Sequence, residues 1–290
     1  MAQDFGNGGG DDQALDARRV AAILDAVEQG NAERLTVLMD PLHAADIADL
    51  LEQISSPARR GLLALWSGQI DGEILSEIDD SIREEVINYL SQDVLTEAVR
   101  ELDSDDVVDI LEDLEEPAQE RVLGALESAD RAAVEQSLAY PEYSAGRLMQ
   151  REVVSAPEHW TVGEAIDFLR AEEWLPDQFY HVILVDPRMR PIANITLGRI
   201  LSSKRTARLR DIAEDEFRII KASAPEADVA YMFNQYHLIS APVVDEGGRL
   251  VGVITIDDAM NVLVEEHEED VLRLPGVSDE SSLAESVLAT

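Results

Sequence analysis

Between residues 14 and 139 the chain is divided into helical runs too short to stand alone, and that division limits what it can fold into. The runs DIADLLEQI (46–54), GEILSEI (72–78), VLTEAVREL (94–102), DDVVDILEDL (105–114) and PAQERVLGAL (117–126) share one plan. Each starts near Asp, Ser, Gly or Pro, residues that cap or open helices. Each then carries apolar residues at helical spacing. In 105–114 these are Val107, Val108, Ile110, Leu111 and Leu114, with Asp105, Asp106, Asp109, Glu112 and Asp113 filling the other face. Isolated helices of this length are marginal in water, so their stability must come from packing. Starts recur about every twelve residues in places, so helix pairs recur about every 24. Stacked as a solenoid, such helices bury one continuous core. A compact bundle is the competing arrangement, and periodicity alone leaves both open.

The solvated faces are strongly acidic. The 290 residues hold 60 acids against 23 bases, a net charge of −37. Such a surface repels nucleic acid and anionic lipid headgroups, and attracts cations or basic partners. Plain solubility is the simpler use of the same charge. Residues 101–130 hold 12 acids and one base, Arg121. Residues 181–210 hold one acid and seven bases: Arg188, Arg190, Arg199, Lys204, Arg205, Arg208 and Arg210. This basic island suits either a phosphate or an acidic helical surface, and the lack of a P-loop favours the second. There is no cysteine, which excludes disulfides and thiolate metal sites and fits a cytosolic location. Apolar stretches such as LVGVITI (250–256) fall far short of the ~20 residues of a membrane helix. The opening MAQDFGNGGGDD has no signal-peptide pattern, and residues 1–12 are expected to be disordered.

The pattern changes at AYPEYSAGRLM (139–149), where Pro and Gly break the helical run. Two β-rich blocks follow. The first reads strand (EVVSAP), helix (TVGEAIDFLRAEE), strand (HVILVD), strand (PIANITL) and helix start. The second repeats the order with FRIIKAS (217–223), EADVAYMFNQY (226–236), SAPVVDEGG (240–248), RLVGVITI (249–256) and DDAMNVLVEE (257–266). The DEGG turn between apolar runs signals a hairpin. The order implies an internal duplication of a β-α-β-β-α unit.

These blocks resemble a tandem pair of CBS (cystathionine-β-synthase-type) domains, most specifically in APVVDEGGRLVGVITIDD (241–258), with its T-x-x-D ending. Together with YPEYSAGRLM (140–149) and the acidic helices before it, the chain is similar over roughly residues 40 to 280 to the cytosolic region of MgtE-type magnesium transporters. The resemblance implies an all-α, superhelical N domain followed by an α/β CBS pair and a connecting helix. The expected division is a helical domain at 13–140, CBS units at 141–203 and 204–264, and a connecting, plug-type helix within 265–290. It further implies a homodimer through the CBS units, a pore domain absent from this sequence, and a place on the cytoplasmic face of the membrane. No enzyme motif such as G-x-S-x-G or H-E-x-x-H occurs, so catalysis is not expected.

The ligand the resemblance implies is Mg²⁺, and the chemistry agrees. Mg²⁺ is a hard cation that keeps several waters and takes one or two carboxylates, so its sites leave no sharp motif. Two unit charges ~10 Å apart in water repel by roughly 0.4 kcal/mol, and many such pairs sum to several kcal/mol before screening. Acidic modules would then stay apart until a divalent ion bridges them. By resemblance the metal-ligand candidates are Asp105, Asp106 and Asp109 on the helical domain, Asp258 closing the second CBS unit, and Glu266, Glu269 and Asp270 on the connecting helix. A solvated helix face is the alternative for each. The last three share one face at i, i+3 and i+4, whereas Glu265 and Glu268 do not. The chain departs from the family at Asn261 and His237, where an acid is common. Adenine nucleotide, ATP in particular, is the second implied ligand, with Thr255 and Asp258 on the ribose. In the first unit Arg199 takes the acidic position, which weakens that half. A free-standing nucleotide-sensing CBS protein is the rival to a magnesium sensor.

Overall fold

The short runs become helices because most starts are chemically marked. A computed structural model describes residues 15–172, 174–176, 178–214 and 217–273, with the backbone alone for 265–273. The chain divides into two compact units between Ala139 and Tyr140. The first begins with α1 (Ala17–Glu28), α2 (Ala32–Met39), α3 (Ala44–Gln53), α4 (Ser56–Trp66) and α5 (Gly72–Ser76). It continues with α6 (Asp80–Tyr89), α7 (Gln92–Glu101), α8 (Ser104–Glu112), α9 (Glu116–Leu123) and α10 (Ser128–Leu138). Side chains of Asp16, Asn31, Asp71, Asp79 and Ser91 accept from backbone N–H groups of the turn they open. Proline enters the first turn of α4 and α9, where its missing N–H costs nothing.

Packing chooses the solenoid over the bundle. α2 packs on α4, α3 on α5, α4 on α6, α5 on α7, α7 on α9 and α8 on α10. From α2 onward most helices thus meet the next but one, as stacked pairs do. The apolar stripes merge into one core running from Ile23 to Val134. Three arginines tie this stack together. Arg59 donates from Nε to the Leu51 carbonyl (2.7 Å) and from Nη2 to that of Ile54 (3.3 Å), at the end of α3. Arg83 donates from Nε to Ile78 O (3.1 Å), just after α5. Arg121 reaches Ile87 O (2.8 Å) and Leu90 O (2.7 Å) at the end of α6. These carbonyls lie in the last turns, where the helix's own N–H groups run out (Ile87 O alone also accepts from Leu90 N–H, at 3.2 Å), and a cation suits the negative end of a helix dipole.

The second unit is the duplicated one. Its elements are α11 (Ala145–Leu148), β1 (Ser155–Pro157), α12 (Val162–Ala171), β2 (His181–Val185), β3 (Pro191–Thr196), α13 (Leu197–Ser202) and α14 (Leu209–Ile212). The repeat supplies β4 (Ile220–Lys221), α15 (Glu226–Tyr236), β5 (Ser240–Val244), β6 (Leu250–Thr255) and α16 (Ile256–Arg273). Two sheets result, ordered β1-β2-β3 and β4-β5-β6. In each, the first pair is parallel and bridged by a crossover helix, and the second is an antiparallel hairpin. Val182 faces Ile195 as Ala241 faces Ile254. The register slips at the same place in both hairpins, between Leu184 and Val185 and between Val243 and Val244. The strand expected over 217–223 is shorter, with only Ile220 and Lys221 paired.

The two CBS cores are not built from the two sequence blocks. Ala145 and Met149, which precede the first block's strands, lie in the core of the second unit with Val229, Phe233 and Ile254. Ala145 and Gly146 donate backbone hydrogen bonds to Ala224 O and Ala222 O, and Gln150 pairs with Val253. Leu209 in turn packs in the first core, and its N–H reaches Trp160 O at 2.9 Å. Each unit therefore borrows its lead-in segment from the other. Gly252 permits the first exchange, since a Cβ there would sit 2.6 Å from Met149 Sδ and 2.8 Å from Gln150 O. α16 runs unbroken through residue 264, so the helix closing the second CBS unit and the start of the connecting helix are one element.

Candidate functional site

The acidic face of the helical domain is organised by one buried cation. Asp105 and Asp106 occupy the first turn of α8, where the helix dipole favours negative charge, and both are half-buried. Asp109 follows one turn later, so it shares a face with both. The inner side of α8 is buried through Val107, Val108, Ile110 and Leu111. Asp109 is held by Arg83, Oδ2 to Nη2 at 3.0 Å. Arg83 itself is buried, and two further carboxylates meet it: Asp80 at 3.2 Å and Asp113 at 2.9 Å. Asp80 and Asp113 are not marked by the sequence, because only packing brings α6 against α8.

Three carboxylates around one guanidinium leave an excess of negative charge. The Asp113 carboxyl is pushed up to about 6, first by lost solvation and then by the Asp80 charge, against the pull of Arg83. Asp109 moves in the same direction, from lost solvation first, with Arg83 opposing and Asp80 adding. Asp109 still keeps 63% of its side-chain area in solvent, so screening keeps the energy of that shift small. A divalent cation would relieve this crowding, and carboxylate oxygens suit Mg²⁺. Among the described residues no three metal-ligating side chains converge into a ready-made cage.

In the CBS pair, the T-x-x-D sequence forms a helix start. Thr255 Oγ1 donates to Asp258 Oδ2 at 2.6 Å, joining the end of β6 to the first turn of α16. In the first unit, Thr196 accepts from the backbone N–H of Arg199 at 3.3 Å. The two threonines keep equivalent places, but only the second unit supplies a carboxylate beside its threonine. Thr255 also lines a cleft between the units, with His181 and Ser240 in its wall. These two residues open β2 and β5, and His181 Nδ1 meets Ser240 Oγ at 2.6 Å, latching the units together. Burial holds the His181 ring below its ordinary basicity, with Glu214 partly opposing. The closed part of the cleft holds about 20 Å³, room for about one water. The sequence did not mark His181 or Ser240. Glu266, Glu269 and Asp270 lie on the backbone of α16, but their side chains fall outside the described residues.

Comparisons with known proteins find two kinds of module in this chain. The model of the MgtE intracellular N domain matches residues 42–143, and the CBS domain model matches 145–205 and 209–265. The chain is 33% identical over 266 residues to the magnesium transporter MgtE of Thermus thermophilus, and 24% identical over 253 residues to that of Bacillus subtilis. Those stretches are 91% and 87% of this chain but only 59% and 56% of the relatives, so it spans little more than half their length. Among solved structures, the cytosolic domain of the Mg²⁺ channel MgtE in complex with ATP superposes with a TM-score of 0.75 at 28% identity. That match covers 84% of this chain and 99% of the other. The soluble part of a magnesium transporter gives 0.72 at 21% identity, covering 86% and 98%, which speaks for the fold. Among the described residues, no helix is long and apolar enough to cross a membrane.

Proposed function

The chain belongs to the MgtE family, as an intracellular N domain followed by a CBS pair, and from that premise we propose that it is the Mg²⁺-sensing regulatory region of a magnesium transporter. The observation that carries this reading is the crowded acidic face of α6 and α8. One buried guanidinium balances three carboxylates there, and Asp105 and Asp106 extend the same charge. Without divalent ions such a face repels other acidic surfaces of the region, among them Asp258 and the acids of α16. Mg²⁺ bridging through its retained waters removes that repulsion and draws the surfaces together. In the full-length protein, at the cytoplasmic face of the membrane, this closure shuts the pore. A homodimer through the CBS units completes the assembly.

The test is a Mg²⁺ titration followed by small-angle scattering and protease resistance. Compaction is expected at millimolar Mg²⁺, beyond what NaCl gives at matched ionic strength. Equal responses to the two salts would sink the proposal. Asp105→Asn with Asp106→Asn should then shift the midpoint to higher Mg²⁺.

The Thr255–Asp258 pair beside the cleft supports a second ligand, an adenine nucleotide such as ATP. Asp258 would accept from the ribose hydroxyls. Calorimetry with ATP should show binding that Asp258→Ala weakens by about tenfold, the loss of a charged hydrogen bond. An unchanged affinity removes Asp258 from the nucleotide site.

A further inference from the structure

The cleft between the CBS units contains a buried side chain that Thr255 and Asp258 leave unused. Gln150 belongs to the lead-in segment that crosses to the second unit. Its N–H donates to Val253 O at 2.8 Å, and its carbonyl accepts from Val253 N–H at 2.9 Å. Residues opposed in this way on antiparallel strands point to one face, and so do residues two apart on a strand. Gln150, Val253 and Thr255 therefore share a face. Met149 and Ile254 point the other way, into the core of the second unit. The shared face is the cleft, since all three residues line it. From Val253 to Thr255 is about 7 Å along β6, the same order of length as a purine nucleoside from its ribose to the outer edge of its base.

An independent observation concerns the Gln150 amide. The residue is 4% exposed, yet its side chain meets no hydrogen-bond partner among the described residues. Its oxygen and nitrogen stay open to solvent, unlike the sealed Asn194 Oδ1. Buried amides are nearly always paired, so an open one in a cleft wall points to a group that enters and completes it. The closed part of the cleft has room for about one water. Such a recess admits a single polar atom at the edge of a ring and leaves the ring outside, where the half-buried Phe179 and the exposed Tyr180 also line the cleft.

We propose that Gln150 reads the base of the bound nucleotide: Oε1 accepts from the 6-amino group of adenine, seated in the recess, and Nε2 donates to the neighbouring ring nitrogen N7. The inference rests on the nucleotide proposed above for the Thr255–Asp258 cleft. Adenine offers a donor and an acceptor on this edge, and a glutamine amide pairs with both. Guanine offers two acceptors there, so the amide oxygen would face a second oxygen. A site built to hydrogen-bond a polar group rejects the analogue that lacks it, because its own buried partner is then left unpaired. Thr255 and Asp258 address the ribose and cannot tell one base from another. Gln150 supplies that selection.

The test is calorimetry on the whole chain with ATP, GTP and purine riboside 5′-triphosphate, which lacks only the 6-amino group. ATP should bind about tenfold more tightly than purine riboside triphosphate, and at least about tenfold more tightly than GTP. In Gln150→Leu, ATP and purine riboside triphosphate should come within about threefold of each other. Circular dichroism checks that this variant folds, and the three ligands on the native chain decide the matter without it. Suppose Asp258→Ala weakens ATP, while loss of the 6-amino group changes nothing. That result overturns the role of Gln150 and spares the nucleotide. A gap between the two ligands that persists in folded Gln150→Leu also overturns it. Binding of none of the three removes the nucleotide, and the role of Gln150 falls with it.

Discussion

The two units handle their cations in opposite ways. In the helical domain two arginines are buried and hold the fold: Arg59 and Arg83 are 5% and 4% exposed, and each bonds carbonyl oxygen at the end of a preceding helix while meeting acids. In the CBS pair arginine sits outside. Arg205 meets Asp167 at 2.7 Å with more than half of both side chains in solvent, and Arg210 lies 3.9 Å from Glu158. The sequence contrast runs the other way, since bases are scarcer in the domain that buries two of them. A solenoid of short helices has many helix ends, and each end leaves carbonyls to satisfy. A sheet-based unit pairs much of its backbone between strands, and its arginine–carbonyl bonds, such as Arg147 to Tyr140 O at 2.8 Å, are only half-buried. Bases are few there in any case, so the outer face of the helical domain is mostly acidic, which is the property the proposed sensing uses.

Paired substitutions test this contrast most directly. Arg59→Met removes two carbonyl bonds and the partner of Glu85, which Ser56 also holds at 2.5 Å. Breaking a buried pair from one side costs about 3 kcal/mol or more, so the urea midpoint of the helical domain should fall markedly. A loss too small to measure would mean the buried arginines are not structural. Second in size is a pH effect read from the unfolding of the helical domain. The raised Asp113 carboxyl contributes stability that is present below its unfolded value of about 3.9 and lost as pH rises through about 6. With 37% of that side chain in solvent, screening reduces the change to under about 1 kcal/mol. Urea midpoints measured between about pH 4 and pH 7 should therefore decline for the native chain. Asp113→Asn should flatten at least half of that decline, and an unchanged slope would remove Asp113 as its source. The smallest effect belongs to Arg205→Met, which should leave the unfolding of the CBS pair where it was. A fall comparable to that of Arg59→Met would erase the contrast.

Much of this molecule follows from the sequence alone. The helix starts are readable because a cap acts within three residues of itself, as Asp71 does on Ile74. The apolar stripe of α8 is readable because burial repeats with the helical turn. The duplication is readable because both blocks repeat one order of strand, helix and hairpin, down to threonines at the same place. Three features needed the tertiary structure. The gathering of Asp80, Asp109 and Asp113 around Arg83 joins that arginine to acids up to 30 positions away, and no local periodicity distinguishes those acids from their many acidic neighbours. The latch of His181 on Ser240 pairs two unlike residues in equivalent strands, 59 positions apart. The exchange of lead-in segments places Ala145 and Met149 in the later core and Leu209 in the earlier one. Sequence patterns state which face of an element seeks burial. Which partner buries it is settled by long-range packing, where backbone bonds such as Gln150 with Val253 and close approaches such as Met149 on Gly252 select one arrangement among several that the pattern permits.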